Sequence, residues 1–392
     1  MDIPFIKKDA FGPEYVVFVH DSKIGMEGIL VIDNTAQGPG KGGIRMTPDI
    51  TPEEVFRLAR TMTWKNAILG IPFGGAKAGI VWKGGTNQLK KQYIQTFAKT
   101  IKVFTPKKYI AGPDVNTGER EMQWFAEATG NWRSATGKPA NLCMKIFGKP
   151  GEKCGIPHEF GSAGFGVAEA TAVAADFAGI ELKKSKVAIH GFGNVGSFVY
   201  TFLTKLGARV VAIADKNGAI FSEQGFEAKK LKLLIKERKS IVEYRGGIRI
   251  ESDDFWNLLV DIIIPASVTD VIDEKNKNLI QAKIIVEAGN ISIREHTEEE
   301  LFQKGILIVP DLIANAGGVI SSFAEYRGYN PKRMFEIVKE KITQNTKFIL
   351  EESKKRNRSP RVLAQEIARE NIERAARKRE KFLEKAEKKQ IL

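Results

Sequence analysis

Apolar positions along the 392-residue chain fall into three regimes. In the first third, short apolar runs at VVFVH (16–20), GILVID (28–33) and KYIAG (108–112) predict strands. One helix is well marked: Thr51, Pro52 and Glu54 supply an N-cap, a first-turn proline and a capping-box acid. Val55, Leu58, Ala59 and Met62 then recur at i, i+3, i+4 and i+7, so the helix buries one face before running into the glycine-rich GIPFGGAKAGI. From about Phe160 helices and strands alternate. The runs KVAIHG, RVVAIAD, LVDIIIPA, KIIVEAG and GILIVPD are nearly continuously apolar, as expected of strands covered on both faces of a parallel sheet. After Asn330 the pattern is helical to the end, with Pro360 marking a helix start.

The alternation predicts an α/β protein of two domains, since single cores rarely grow past about 250–300 residues. Hydrophobic content of 43% and charged content of 28% suit packed cores rather than disorder. No apolar run approaches the roughly 18 residues of a spanning helix, and MDIPFIKKDAFG lacks the apolar stretch of a signal peptide. A cytoplasmic protein with no membrane partner is expected. Cys143 and Cys154 form neither a CxxC pair nor a disulfide framework, which suits a reducing compartment. His20, His158, His190 and His296 are scattered, so no metal site is expected. Net charge is +14, but +6 of it lies in residues 351–392, where 14 Lys/Arg are interleaved with 8 Asp/Glu at helical spacing. That mixture reads as a solvated helix face, and no nucleic-acid partner is expected.

Within HGFGNVG, Gly191, Gly193 and Gly196 form GxGxxG directly after an apolar strand and at the head of a predicted helix. The backbone there can approach a pyrophosphate, which the helix N-terminus attracts. A second strand ends at Asp215, 19 residues past Gly196, close to where an acidic residue meets ribose hydroxyls. Tight helix–sheet packing alone would also explain the glycines, but the strand–turn–helix–strand context favours a cofactor, NAD or NADP. Asp215 favours NAD, whereas Lys216 beside it could neutralise a 2′-phosphate.

Lys41 in GPGKGGIR, Lys65 in MTWKN and Lys77 in FGGAKAG lie within 37 residues. Singly, each is more often a lysine whose stem covers apolar surface. Lys65, however, falls on the apolar stripe of its helix, where an ammonium needs an anionic partner, either a structural carboxylate or a substrate. Lys77 is flanked by Gly74, Gly75 and Gly79, which leave room for substrate beside a desolvated amine whose depressed pKa suits a base. Asp114 in AGPDVNTG reads either as turn chemistry or as a proton shuttle.

GKGGIR, MTWKNA, PFGGAKAG, GPDVNT, GFGNVG and ANAGGVISSFAEY occur in the order in which they appear in the glutamate/leucine/phenylalanine/valine dehydrogenases, and the chain resembles that family over roughly residues 10–330. The resemblance implies a substrate-binding and oligomerisation domain over 1–160, a Rossmann-type doubly wound dinucleotide-binding domain over 161–334, and C-terminal helices over 335–392 that pack back on the first domain. It implies catalytic roles for Lys77 and Asp114, and Lys65 as ligand of the substrate α-carboxylate. Lys41 and Ser322 stand where glutamate-specific members hold the side-chain carboxylate. Asn194, Val195, Asn290 and Asn315 join the glycines, Asp215 and Lys216 as expected cofactor contacts. The expected reaction interconverts glutamate with 2-oxoglutarate and ammonium in a homo-oligomer, a hexamer; a leucine-type enzyme and a silent regulatory paralogue are the alternatives. Ala78, Ala163 and EAGN at 287–290 depart from the family's usual glycine, threonine and EGAN.

Overall fold

A computed structural model describes residues 8–145 and 152–390. The opening seven residues, part of the segment where no leader pattern is expected, lie outside the described residues. The chain forms two compact units: Met1–Phe160 with Val319–Phe335 and Gln365–Leu392, and Gly161–Gly318 with Glu336–Ala364.

In the first unit, β1 (Tyr15–Asp21), β2 (Met26–Asn34), β3 (Gly40–Thr47), β4 (Gly74–Val81) and β5 (Tyr109–Gly112) form a sheet of order β1-β2-β4-β3-β5. Helix α1 (Pro52–Ile68) is the crossover from β3 to its parallel neighbour β4. Thr51 caps α1 by accepting from the Glu54 amide at 3.2 Å, while the Glu54 carboxylate pairs with Arg45 on β3. Strands β3 and β4 carry the glycine-rich segments GKGGIR and GGAKAGI, which the sequence pattern does not assign to strands. They carry too few side chains for a period to show, yet each is paired on both sides. Gly75 allows the close approach of α1, because a methyl there would lie 2.0 Å from Thr63 Oγ1.

Successive strand residues face opposite sides of the sheet. Leu30, Ile32, Ile44, Met46, Ala76, Ala78 and Ile80 bury one side against α2 (Asn87–Thr100) and α3 (Glu119–Thr129). On the other side, Ile29 and Val31 pack with Val55 and Ala59 of α1. Lys41, Arg45 and Lys77 have the parity of that second side. Ala78, one departure from the family pattern, therefore points into the apolar core, away from the face of Lys77.

Two short strands, β6 (Cys143–Lys145) and β7 (Glu152–Cys154), pair antiparallel with Cys143 opposite Cys154, and a disulfide joins them. This corrects the expectation of no disulfide. Facing positions of a hairpin bring two sulfurs within bonding reach whatever their spacing in sequence, and three-residue strands leave no pattern to read.

The second unit begins with α4 (Ser162–Phe177) and continues through β8 (Lys186–His190), α5 (Asn194–Lys205), β9 (Arg209–Asp215), β10 (Gly218–Phe221), α6 (Ala228–Lys236), β11 (Ile248–Ile250) and α7 (Ser252–Trp256). Then follow β12 (Ile262–Pro265), β13 (Ile284–Val286), α8 (Glu295–Gln303), β14 (Leu307–Val309) and α9 (Asp311–Ala314). Sheet order is β11-β10-β9-β8-β12-β13-β14. Pairing is parallel from β9 to β14, and β10 and β11 add an antiparallel edge. The five apolar runs read from sequence are β8, β9, β12, β13 and β14. Strand order reverses beside β8, the place where doubly wound sheets open a crevice at the carboxyl ends of their strands.

The last helices are α10 (Gly317–Arg327), α11 (Pro331–Arg356) and α12 (Pro360–Gln390). They do not return to the first unit as one block over 335–392. From Val319 to Phe335 the chain belongs to the first unit, α11 from Glu336 and the start of α12 to the second, and α12 from Gln365 to the first. There the Asn371 side chain donates to the Ala67 carbonyl at 3.1 Å and Arg369 lies over Phe11 and Trp64. Helical periodicity shows that a face is buried, not what buries it.

Candidate active site

Lys41, the second residue of β3, is buried and donates to the Ala111 carbonyl at 3.0 Å. Burial pushes its ammonium down to about 7, against the attraction of Glu325 and with the repulsion of Lys77 and Lys138. Lys77, on β4, is equally buried and touches Asp114, which follows β5 in a turn closed by Thr117. Burial also drives the Lys77 amine downward, outweighing the pull of Asp114, with Arg45 adding repulsion. Burial alone would raise the Asp114 carboxyl. Lys77 and Arg45 outweigh it and hold the group ionised, well below the usual carboxylate range.

The Asp114 backbone belongs to the turn, while its carboxylate accepts from Lys77 through Oδ2 and from Arg45 Nε through Oδ1 at 2.7 Å. Arg45, which ends the GKGGIR motif, is the first of two charged partners of the candidate residues that the sequence reading passed over. Lys65 lies in the last turn of α1 and is buried, at 2% exposure, as its place on the apolar stripe required.

Ser322 is half-buried on α10, and Glu325, one turn on, shares its face. Glu325 is the second residue missed. Its carboxylate pairs with Lys138, accepts from the amides of Gly137 at 2.8 Å and Ile156 at 2.7 Å, and is wholly buried. Lys138 in turn stacks over Trp132. Lys41, Arg45 and Lys77 lie on one sheet face, where Asp114 pairs with Lys77 and Arg45, and Glu54 pairs with Arg45.

In the second unit the glycine turn fits a dinucleotide. A methyl on Gly196 would lie 1.9 Å from the Gly191 carbonyl oxygen, and Gly191 has φ 104° beside Ala266. A methyl on Gly193 would meet nothing within 4 Å, so that side of the turn has space for phosphate. Helix α5 starts at Asn194 and Val195 with no side chain capping its first amides. Asp215, at the end of β9, accepts from the Asn217 amide at 2.8 Å, Ser240 Oγ at 2.8 Å and the Ile241 amide at 2.9 Å. These contacts aim its carboxylate; Lys216 beside it is exposed. Asn290 and Asn315 follow β13 and β14, and the Asn315 amide nitrogen donates to Asn290 Oδ1 at 3.1 Å and to the Gly289 carbonyl at 3.0 Å. The nine sequence-predicted cofactor residues therefore all lie at or just beyond carboxyl ends of parallel strands. Among the described residues no acidic, His and Cys side chains group as a metal site, and no helix is long and apolar enough to cross a membrane.

The model of the Glutamate/Leucine/Phenylalanine/Valine dehydrogenase domain matches residues 154–380, and that of the Glu/Leu/Phe/Val dehydrogenase dimerisation domain matches residues 13–131. A glutamate dehydrogenase of Thermotoga maritima is 37% identical over 80% of this chain and 75% of its own length. An NADP-specific glutamate dehydrogenase of Saccharolobus shibatae is 36% identical over 75% and 69%. The solved structure of a hetero-hexameric glutamate dehydrogenase from Thermus thermophilus, in a Leu-bound form, superposes with TM-score 0.82 at 25% identity, covering 94% of this chain and 90% of that one. With a buried lysine–aspartate pair in one unit, a dinucleotide turn in the other and matches across both, the chain belongs to the glutamate/leucine/phenylalanine/valine dehydrogenase family.

Proposed function

We propose that this protein is an NAD(P)-dependent glutamate dehydrogenase, interconverting L-glutamate with 2-oxoglutarate and ammonium. The observation that carries the substrate choice is Lys41: a buried ammonium bonded to one backbone carbonyl, on the sheet face that also bears Lys77. Opposite an aliphatic side chain it would stay buried without an anion, a penalty of about 1–3 kcal/mol, or more for a charge. A γ-carboxylate removes that penalty. Lys41 and Ser322 take this carboxylate, and Lys65 takes the α-carboxylate.

Gly191, Gly193, Asn194, Val195 and Gly196 hold the cofactor pyrophosphate, and Asp215 and Lys216 flank the adenosine ribose. Because β9 and β13–β14 lie on opposite sides of β8, Asn290 and Asn315 face the other end, the nicotinamide. When bound, the nicotinamide accepts hydride from the substrate Cα. The residues of the chain supply the proton chemistry. Lys77, its amine made available by burial, draws a proton from the water that attacks the iminium carbon. Asp114, ionised beside it, accepts that proton from Lys77 and delivers it to the departing nitrogen. NAD and NADP both suit the Asp215–Lys216 pair. A homo-oligomer, a hexamer, in the cytoplasm completes the proposal; the disulfide removes cysteine usage as an argument for that compartment.

The test follows reduced-nicotinamide absorbance with 2-oxoglutarate and ammonium, using NADH and NADPH separately and 4-methyl-2-oxopentanoate as comparison. Consumption with 2-oxoglutarate alone is expected. Preference for the branched-chain acid would overturn the Lys41 argument, and inactivity with both would bring forward the silent paralogue.

A further inference from the structure

The most heavily charged interior of the second unit lies outside the catalytic groups. Arg361, in the first turn of α12, is 5% exposed and its guanidinium is surrounded by three carboxylates, all buried. Its Nη2 meets Glu287 at 2.5 Å, its Nη1 meets Asp311 at 3.0 Å, and its Nε meets Glu298. Three carboxyls around one cation would leave two uncompensated negative charges if all were ionised, a costly arrangement in an interior. Packing alone does not require it, since an apolar cluster of equal volume would serve.

What the carboxylates hold on their other oxygens gives the cluster its meaning. Glu287 Oε2 accepts from the Ile293 amide at 3.2 Å, and Asp311 Oδ2 accepts from the Ile291 amide at 3.0 Å. Asn290 immediately precedes the anchored Ile291, and Asn315 caps the C-terminal end of α9, which Asp311 begins. Ile291 has φ 52°, a left-handed backbone that a β-branched residue adopts only under constraint. Glu298, by contrast, meets Arg361 from α8, outside the asparagine loop.

We propose that Arg361 is the positioning residue for the nicotinamide end of the cofactor site: by holding Glu287 and Asp311 it keeps the Ile291 turn strained and the Asn290–Asn315 pair in register. The inference rests on the assignment of that pair to the nicotinamide under Proposed function.

Its test compares binding of NADH and of ADP-ribose, which lacks the nicotinamide, to the full-length protein by fluorescence and calorimetric titration. Arg361→Met is expected to weaken NADH at least tenfold while ADP-ribose changes less than twofold. Arg361→Lys should recover part of the loss, and Glu298→Gln should leave both ligands unchanged. Equal loss of both ligands, or a Glu298→Gln variant that reproduces Arg361→Met, would mean a purely structural cluster and overturn the proposal. Should Arg361→Met fail to fold, Asp311→Asn carries the same expectation, and unchanged NADH affinity in that variant would overturn the proposal equally. Asn290→Ala with Asn315→Ala separates the two levels: if that double variant binds NADH normally, the nicotinamide assignment itself has failed.

Discussion

Replacing Arg45 with Gln isolates the electrostatics of the catalytic pair, because Arg45 donates to Asp114 from the side opposite Lys77. The lost bond is charge-assisted and 2.7 Å long. Such bonds contribute about 1.5–3 kcal/mol. At about 1.4 kcal/mol per pKa unit, the Asp114 carboxyl should rise by roughly one to two units. Lys77 moves the same way, because Arg45 repels its ammonium and that repulsion disappears. Both groups then hold their protons to higher pH. In glutamate oxidation, where Lys77 acts unprotonated, the acid limb of the kcat/KM profile should shift upward, with about tenfold less activity on that limb for each pH unit of the shift. Steady-state rates of cofactor reduction across the pH range read the shift, and Arg45→Lys, which keeps charge without the fork, should shift it less. A profile that scales down uniformly, with its acid limb unmoved, would refute the assignment of Arg45 and Asp114 to proton control.

Other outcomes are equally direct. Lys41→Met should raise KM for 2-oxoglutarate about 10- to 100-fold, from the 1.5–3 kcal/mol of a hydrogen bond to a charged group, with little effect on short apolar 2-oxo acids. In the wild type the same KM should climb as pH passes about 7, where the buried Lys41 ammonium loses its proton, and a flat KM would remove Lys41 from the pocket. Asp215→Asn should weaken NADH about tenfold in fluorescence titrations while affecting NADPH less, because the ribose loses a charged acceptor; equal losses would shift the ribose contact elsewhere. Cys143 and Cys154 are 11 residues apart, so the loop closed by their disulfide corresponds to about 2–3 kcal/mol. Chemical denaturation with and without reductant should show that loss, and a Cys143→Ser variant indifferent to reductant is the control.

The strands of the second unit were legible because a buried parallel strand must be apolar on both faces, and five such runs stand out between turns. The glycine turn and Asp215 were legible for a related reason: their chemistry is local, a strand end, a turn and a helix start within 25 residues. Lys65 was legible as a charge on an apolar stripe. Arg45 and Glu325 were not, because nothing local separates a buried ion-paired residue from a solvated one. Their meaning comes from Asp114, 69 positions from Arg45, and from Lys138, 187 from Glu325.

Sequence by itself determined the fold class and the glycine turn and singled out Lys77 and Asp114 as candidates, through short-range periodicity, turn chemistry and ordered motifs. Tertiary structure alone decided that the glycine-rich segments are central strands, that Cys143 and Cys154 are joined, that the C-terminal helices divide between the units, and that Arg361 underlies the asparagine loop. The physical reason is common to these. Strand pairing, disulfide closure and burial of charge depend on which distant residues become neighbours, and chain periodicity says which face is covered without saying by what.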